Sequence, residues 1–387
     1  MFSDINSIRM KRIVILSMSL LLYLSAAYAQ AQTPKSSPVT FKKGVCITHW
    51  ADFLFEGRTY GDPEWFGEKD MRWIKEQGFD HILIYLDGTE IAHEKGDLRP
   101  ARIEVLDTTI SLARKYNLGT ILSIQKYPPI PEDSLRSEQE QAKLTTEMNN
   151  KFWKSLETSL KHHGNNLRYN IAGEPRLLTA SHIQYYKTIV PSIYKIIRSE
   201  NTTRHLYITN YSFGLTDSLT LEPGMKNISI AFKLGSHQLF SAQHGKPFWF
   251  PENLPPISFP DTLPDLTAYL AENSPFVQLS EKVMDKSLIE SDIKRVTRNI
   301  ERNNYKTVEK YLLDWGYYTG YPYDPTTTRD SLSIKNFAHA MASVIDTSHL
   351  SFSIYDYNSG MAVNLNDAPS FLLRYLDLKK KKRGENN

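Results

Sequence analysis

The stretch LRYNIAGEP, residues 167–175, joins a short apolar run to a carboxylate. A run of this length that is rich in apolar residues and bounded by Gly and Pro is typical of a strand buried on both faces. Glu174 follows the run, and Pro175 has no N–H with which to continue a sheet ladder. The sequence therefore predicts that Glu174 lies just beyond the carboxyl end of a buried strand.

Similar runs recur along the chain, separated mostly by segments of helical periodicity. One such segment places Ile289, Ile293, Val296 and Ile300 on one helix face. Eight buried strands that alternate with amphipathic helices predict an α/β fold, a parallel (β/α)8 TIM barrel in a single domain. The predicted strands are GVCIT (44–48), HILIYL (81–86), TILSI (120–124), LRYNIAG (167–173), HLYITN (205–210), ISIAFK (228–233), KYLLDW (310–315) and LSFSIYDY (350–357).

The first residues do not fit this alternation. Residues 1–29 contain a basic pair, an apolar stretch and the small-residue motif Ala27-Tyr28-Ala29, which is the pattern of a secretory signal peptide. An N-terminal anchor helix is the alternative, although the apolar stretch is short for a membrane span. We expect cleavage after Ala29, no stable membrane insertion afterwards, and a secreted or periplasmic protein.

Composition limits the remaining classes of function. We expect residues 30–43 to form a linker, 44–375 the barrel domain and 376–387 a basic tail. The formal net charge of +3 is too small to indicate a nucleic-acid partner. Cys46 is the only cysteine, so the fold must depend on its core instead of internal disulfides. We expect a monomer.

A long interruption follows the sixth predicted strand. Residues 245–264 contain six prolines together with Phe248, Trp249, Phe250 and Phe259. Because the segment follows a strand, it should lie at the C-terminal end of the barrel, where active sites of this fold are built. It is predicted to be an ordered loop facing substrate; a packed insertion without a ligand is the alternative.

Two carboxylates end predicted strands of the barrel. Glu174 closes the fourth strand and Asp314 the seventh, so both would lie at the same end of a parallel barrel. Hydrolysis of a glycosidic bond needs two carboxyl groups, about 5–5.5 Å apart when configuration is retained. The pattern is compatible with a glycosidase in which Glu174 is the acid/base; an ordinary polar residue where a strand meets a loop is the alternative.

The sequence resembles glycoside hydrolase family 5, the cellulase family, from about Gly44 to Asn364. The stretches that carry the resemblance are GVCITHW, WIKEQGFDHILI, YNIAGEP, LFSAQ and LLDWG. The resemblance implies a retaining (β/α)8 enzyme whose acid/base is Glu174 and whose nucleophile position is Asp314. It implies a β-linked polysaccharide or oligosaccharide as partner, and no cofactor.

Several positions depart from the pattern of this family. Asp314 replaces a Glu, Gly173 an Asn that holds the sugar 2-hydroxyl, and Leu83 an Arg. Gln125 and Lys233 each replace a His, and Tyr355 replaces the Trp that stacks on the central sugar. Asp is one methylene shorter than Glu, and a misplacement of roughly 1 Å can cost about 10²-fold in rate. Lys233 is expected to hold Asp314 ionised, and the shorter side chain leaves room for a water, which would favour inversion.

The sequence thus predicts an enzyme that hydrolyses O-glycosyl bonds, with a divergent active site. Its expected substrate-binding residues are Trp50, Gln125, Lys233, Trp249, Trp315 and Tyr355. A catalytically silent barrel that binds glycan is the main alternative, and a protein-interaction module is a third.

The histidines do not indicate a metal site. His162 and His163 are expected to be surface residues. His237 and His244 have no third ligand near them in the sequence, so no metal is assigned.

Overall fold

The computed structural model describes residues 39–47, 66–93, 96–126, 138–171, 180–210, 224–243, 250–251, 253–272, 274, 276–302, 308–316 and 331–355. At Gln125, Asp314 and Tyr355 it describes the backbone only. The chain divides into two units, Met1–Pro38 and Val39–Asn387, and every described residue belongs to the second. The predicted leader, linker start and basic tail therefore stay predictions.

Eight parallel strands form a closed barrel, which confirms the predicted fold class. Their order around the barrel is β1-β8-β7-β6-β5-β4-β3-β2, with β2 pairing to β1 to close it. Each strand agrees with its predicted run except for small differences at the ends. The strands are β1 Lys43–Ile47, β2 His81–Asp87, β3 Gly119–Lys126, β4 Leu167–Asn170, β5 Leu206–Asn210, β6 Ile228–Phe232, β7 Glu309–Gly316 and β8 Ser351–Tyr355.

Helices follow most strands and cover the outside of the barrel. The described ones are α1 Glu68–Glu76, α2 Gly88–Ile91, α3 Pro100–Lys115, α4 Glu138–Leu160, α5 Ala180–Glu200, α6 Gln238–Ala242, α7 Lys286–Arg302 and α8 Ser331–Ser348. Short 3₁₀ helices span Lys161–Asn166, Leu266–Ala268 and Val277–Leu279, and an antiparallel pair joins Asp261–Thr262 to Val283–Met284. No described helix is both long enough and apolar enough to cross a bilayer.

The helix patterns predict burial more reliably than they predict helix length. In α7, the four predicted core residues Ile289, Ile293, Val296 and Ile300 are all buried. The helix that contains Trp153 is long and begins at Glu138. Its first half, EQEQAKLTTEMNN, has only three apolar residues, Ala142, Leu144 and Met148, but is rich in good helix formers. Hydrophobic periodicity in the sequence therefore does not predict the first half of α4.

Two apolar clusters lie on the two faces of the barrel strands. The larger one contains alternate strand residues such as Ile82, Ile84 and Leu86 together with the helix cores. The smaller one fills the inside of the barrel, and its members are Phe41, Cys46, Leu83, Tyr85, Ile121, Tyr207, Ala231, Tyr311 and Leu313. Side chains alternate between the faces of a strand, so each run supplies both clusters.

Phe41 fills the N-terminal end of the barrel. It precedes β1, has a backbone φ of 49°, and is fully buried. The Arg168 guanidinium lies 3.9 Å from its ring centroid. Gly119 leaves space for this ring, because a Cβ there would lie 2.3 Å from Phe41. Gly44 likewise leaves space for His81, whose Nε2 would be 2.1 Å from an added Cβ.

A polar network surrounds Phe41. His81 Nδ1 lies 2.6 Å from Asp80 Oδ1, and His81 Nε2 lies 2.6 Å from the Tyr311 hydroxyl. Asp80 also accepts hydrogen bonds from the backbone N–H of Lys42 and from Thr40. Burial alone would raise the pKa of Asp80, but these bonds and the neighbouring His81 outweigh it and lower the pKa to about 2. The network holds the chain before β1 against β2.

A second buried pair joins α4 to the start of β5. The Arg204 guanidinium donates to both carboxylate oxygens of Glu157 at 3.0 Å, and both side chains are fully buried. Arg204 also donates to the carbonyls of Gly164 and Leu167, at the entry to β4. The Arg204 side chain therefore holds together α4, the entry to β4 and the start of β5.

Replacing Glu157 with Gln should lower the free energy of unfolding by about 3–5 kcal/mol, because it leaves the Arg204 charge buried without its counter-ion. Urea denaturation would measure this. The control is Lys154→Gln, which removes the exposed partner of the half-buried Glu200 at 3.7 Å and should cost less than about 1 kcal/mol. Equal effects of the two changes would contradict the assigned role of the Glu157–Arg204 pair.

Two histidines should make the protein sensitive to acid. Burial lowers the pKa of both His205 and His237 to about 4, and nearby Arg168 adds to the effect at His205. The acidic groups Glu309 and Asp292 oppose these shifts at His205 and His237 respectively. Neither ring nitrogen of His237 has a hydrogen-bond partner in the part of the chain that the structure describes.

We expect stability to fall as the pH drops from about 6.5 to about 4, by up to about 3 kcal/mol for each group, since the unfolded histidines take up protons that the folded ones refuse. Unfolding free energies measured across this range would test it. His237→Leu should reduce the slope by about half. An unchanged slope in that variant would show that His237 does not contribute.

Candidate active site

The carboxyl ends of all eight strands lie at one end of the barrel, since every strand pair is parallel. Asp314 lies on β7, and the stretch that contains Glu174 follows β4. Only β5 and β6 separate these two strands on the shorter way around the barrel. Glu174, Trp50 and Trp249 lie outside the described residues, so their roles stay predictions.

Strand β7 contains an irregularity next to Asp314. Leu312 pairs with Phe352 and Trp315 with Ile354, so three steps along β7 match two along β8. Leu312 and Trp315 both belong to the outer apolar cluster, while Leu313 belongs to the inner one. The extra residue breaks the alternation of faces where Asp314 stands. β-Bulges commonly re-aim side chains beside active sites.

The prediction that Trp315 binds sugar is wrong because of this bulge. Unbroken alternation would turn Trp315 to the same face as Leu313. Instead it is only 1% exposed and its ring centroid lies 6.1 Å from that of Phe352. A ring packed there is part of the core and offers no face to a glycan.

The aromatic loop after β6 is at least partly a packed insertion. Phe250 and Phe259 are buried, and the Phe259 ring centroid lies 5.7 Å from that of Phe240 and 5.5 Å from that of Phe337. The Gln243 amide pairs with the backbone of Ile257, donating to its carbonyl and accepting from its N–H, both at 2.8 Å. The described aromatics of this segment are therefore core residues, and Phe248 lies outside the described part.

A chain of buried polar side chains crosses three strands below the mouth of the barrel. Asn170 on β4 donates to Ser123 Oγ on β3 at 3.1 Å, and Thr209 Oγ1 on β5 donates to Asn170 Oδ1 at 3.1 Å. All three residues are buried. The chain ties together the strands beside the segment that contains Glu174. Sequence reasoning missed it, although the signal was a polar residue within each of three apolar runs.

A described cation at the carboxyl end of the barrel, Lys233, follows β6. The family resemblance implied an Arg on β2, where this chain has Leu83. Lys233 follows β6 directly and is partly buried, and its Nζ lies 5.7 Å from the ring centroid of Tyr85 on β2. Leu83, where an Arg was expected by resemblance, is fully buried in the inner cluster with Leu313. The described residues thus place one amine beside an aromatic face, above an apolar interior.

Three curated endoglucanases are similar to the sequence, although no family model matches it. Endoglucanase C of Acetivibrio thermocellus is 20% identical over 292 residues, covering 72% of this chain and 82% of the relative. Endoglucanase C307 of Clostridium sp. (strain F1) gives the same values.

The barrel also superposes on solved endoglucanase structures. One endoglucanase has a TM-score of 0.63 at 19% identity, covering 87% of this chain and 96% of that one. Thermotoga maritima Cel5A in complex with cellobiose has a TM-score of 0.61 at 16% identity, covering 87% and 97%. A family 5 glycoside hydrolase from Prevotella bryantii, solved with a xyloglucan oligosaccharide, has a TM-score of 0.60 at 11% identity, covering 88% and 96%.

The chain is a (β/α)8 barrel that is distantly similar to endoglucanases. The predicted resemblance to family 5 cellulases is thus confirmed as a distant one. In this barrel, Asp314 and Tyr355 lie on β7 and β8, as the sequence predicted, and Gln125 lies on β3, just beyond the predicted run. The contacts of these three side chains lie outside the part of the chain that the structure describes.

The polar chain around Asn170 should be needed to hold the β4 end of this endoglucanase-like barrel. We expect Asn170→Ala to lower the free energy of unfolding by about 1–3 kcal/mol, since it removes the shared partner of two buried hydroxyl groups. The matched change is Ser123→Ala, which deletes only one end of the chain and should cost about 1 kcal/mol. Denaturant titrations would compare them, and equal losses would contradict a central role for Asn170.

Proposed function

We propose that this endoglucanase-like barrel hydrolyses O-glycosidic bonds in a β-linked polysaccharide or oligosaccharide. The observation that carries the proposal is the similarity to endoglucanases across 72% of the chain, together with the shared barrel. The parallel barrel supports it further, because the carboxyl ends of β4, which Glu174 follows in the sequence, and of β7, which contains Asp314, lie at the same end.

The solved relatives suggest the class of ligand. Thermotoga maritima Cel5A has been solved with cellobiose and with mannotriose, and the Prevotella bryantii enzyme with a xyloglucan oligosaccharide. We infer that a β-glycan would lie across the same end of this barrel. Lys233, which directly follows β6 and is only partly buried, is the described residue proposed to line its path.

Two carboxylates would share the chemistry. Glu174 would protonate the leaving oxygen as general acid, and Asp314 would either attack the anomeric carbon or activate a water. The bulge in β7 is relevant here, because a changed register is one way to compensate for the shorter reach of Asp. Lys233, as a cation at this end of the barrel, would favour the ionised form of a carboxylate nearby.

One described feature favours the alternative of a glycan-binding barrel without hydrolysis. Leu83 occupies the position where the family resemblance implies an Arg, and it is fully buried among apolar residues. It can offer no hydrogen bond to a catalytic carboxylate. The two functions differ in a single measurable outcome, which is the release of new reducing ends.

The test is a panel of β-glucan, β-mannan and xyloglucan oligosaccharides, assayed for reducing ends. We expect hydrolysis by the wild type and a loss of about 10²–10⁴-fold in kcat for Glu174→Gln, since general acid catalysis contributes about that much. Asp314→Asn should also lose activity. Glu147→Gln, an exposed carboxylate on α4, is the matched control and should retain full activity.

Each further outcome decides between the candidates. Proton NMR of the first product would show whether its anomeric configuration is retained or inverted, and so whether Asp314 acts as nucleophile or base. Oligosaccharide binding without any new reducing ends would support the silent barrel. Full activity in Glu174→Gln would refute its role as acid.

A further inference from the structure

Two histidines and one aspartate converge on the outside of the barrel. His162 and His163 lie in the 3₁₀ helix Lys161–Asn166, which leads into β4. Asp107 lies on α3, far away in sequence. The Nε2 atoms of both histidines lie 2.8 Å from the same oxygen, Asp107 Oδ1, and their ring centroids are 4.1 Å apart.

This convergence is not a by-product of helix geometry. Neighbouring residues in a helix point about 100–120° apart around its axis, so adjacent side chains normally diverge. Here both imidazoles turn to one point. Gly164, directly after them, has φ 56° and ψ −137°, so the helical path ends beyond the pair.

We propose that Asp107, His162 and His163 form a binding site for a divalent transition-metal ion. Two imidazole nitrogens and one carboxylate oxygen are ligands that suit Zn²⁺, Ni²⁺, Co²⁺ or Cu²⁺, and they suit Mg²⁺ or Ca²⁺ poorly. The three candidate ligand atoms all lie within 4.8 Å of one another. The sequence predicted that both histidines are surface residues, which is wrong for His163, and it could not reveal Asp107 beside them because Asp107 comes from another helix.

The distances indicate the geometry of such a site. With bonds of about 2.1 Å, two atoms 2.8 Å apart subtend roughly 85° at the ion. That angle is close to the 90° of an octahedral site and short of a tetrahedral one. The His162 side chain is 56% exposed, whereas His163 is almost fully buried, so water can complete the coordination from the side of His162.

The site would act on structure and not on the glycan. The 3₁₀ helix precedes β4, so it lies toward the amino end of that strand, whereas glycan is proposed to bind beyond the carboxyl ends. An ion there would connect α3 to the turn that starts β4. The proposal therefore does not depend on the proposed hydrolysis.

Isothermal titration calorimetry of the full chain, without a polyhistidine tag, tests the proposal with Zn²⁺ and Ni²⁺. We expect one site per chain. His162→Gln and Asp107→Asn should each weaken binding at least about tenfold, since even loss of an outer partner of a metal ligand costs 10–100-fold. His339→Gln, an exposed histidine on α8, is the matched control and should leave affinity unchanged.

A second measurement covers the case in which Asp107→Asn unfolds the chain. Co²⁺ bound to the wild type should give the weak visible absorption of a six-coordinate ion, and His162→Gln, a change at an exposed side chain, should abolish it. The proposal is overturned if none of these ions binds with a one-to-one stoichiometry. It is equally overturned if the affinity for the metal ion is the same in His162→Gln as in the wild type. The cluster would then consist only of two imidazoles hydrogen-bonded to one carboxylate.

Discussion

The barrel depends on a filled interior, and at its amino end the ring of Phe41 provides the filling. Its neighbours are shaped around it, because Gly119 leaves the space that the ring occupies and Arg168 stacks on its face. The Asp80–His81–Tyr311 contacts then bind the chain before β1 to the strands. In a parallel barrel this end is associated with stability and the opposite end with chemistry. The described residues follow this division. Charged contacts such as Asp80–His81 lie at the amino end, and a small set of polar side chains, among them Lys233, lies toward the carboxyl end.

The fold could be predicted because strands covered on both faces have a simple sequence pattern. Runs such as HILIYL and ISIAFK are apolar on both faces, so their positions and even their ends could be read with an error of a few residues. The periodic core of α7 was equally clear. The distant similarity to endoglucanases agrees with this pattern, which survives at 20% identity because it depends on residue class more than on identity.

The site was harder to predict because single residues there depend on three-dimensional detail. Trp315 was assigned to a sugar subsite on the assumption of regular alternation, and one extra residue in β7 turned it into the core. Phe259 was assigned to the substrate side, but its ring packs against Phe240 and Phe337. The partners of Asn170 and Asp107 come from other elements, and no local pattern reveals them. The export of the chain and the roles of Glu174 and Trp50 stay predictions.

The pairing of Gln243 with Ile257 has a consequence for how this barrel could diversify. The Gln243 amide binds both the N–H and the carbonyl of Ile257, and so holds the two ends of the intervening segment together. Because the entropy of closing a loop rises only slowly with its length, segments bracketed in this way can gain or lose residues at small cost. Such an anchor would allow the segment between Gln243 and Ile257 to vary during evolution while the barrel strands stay unchanged.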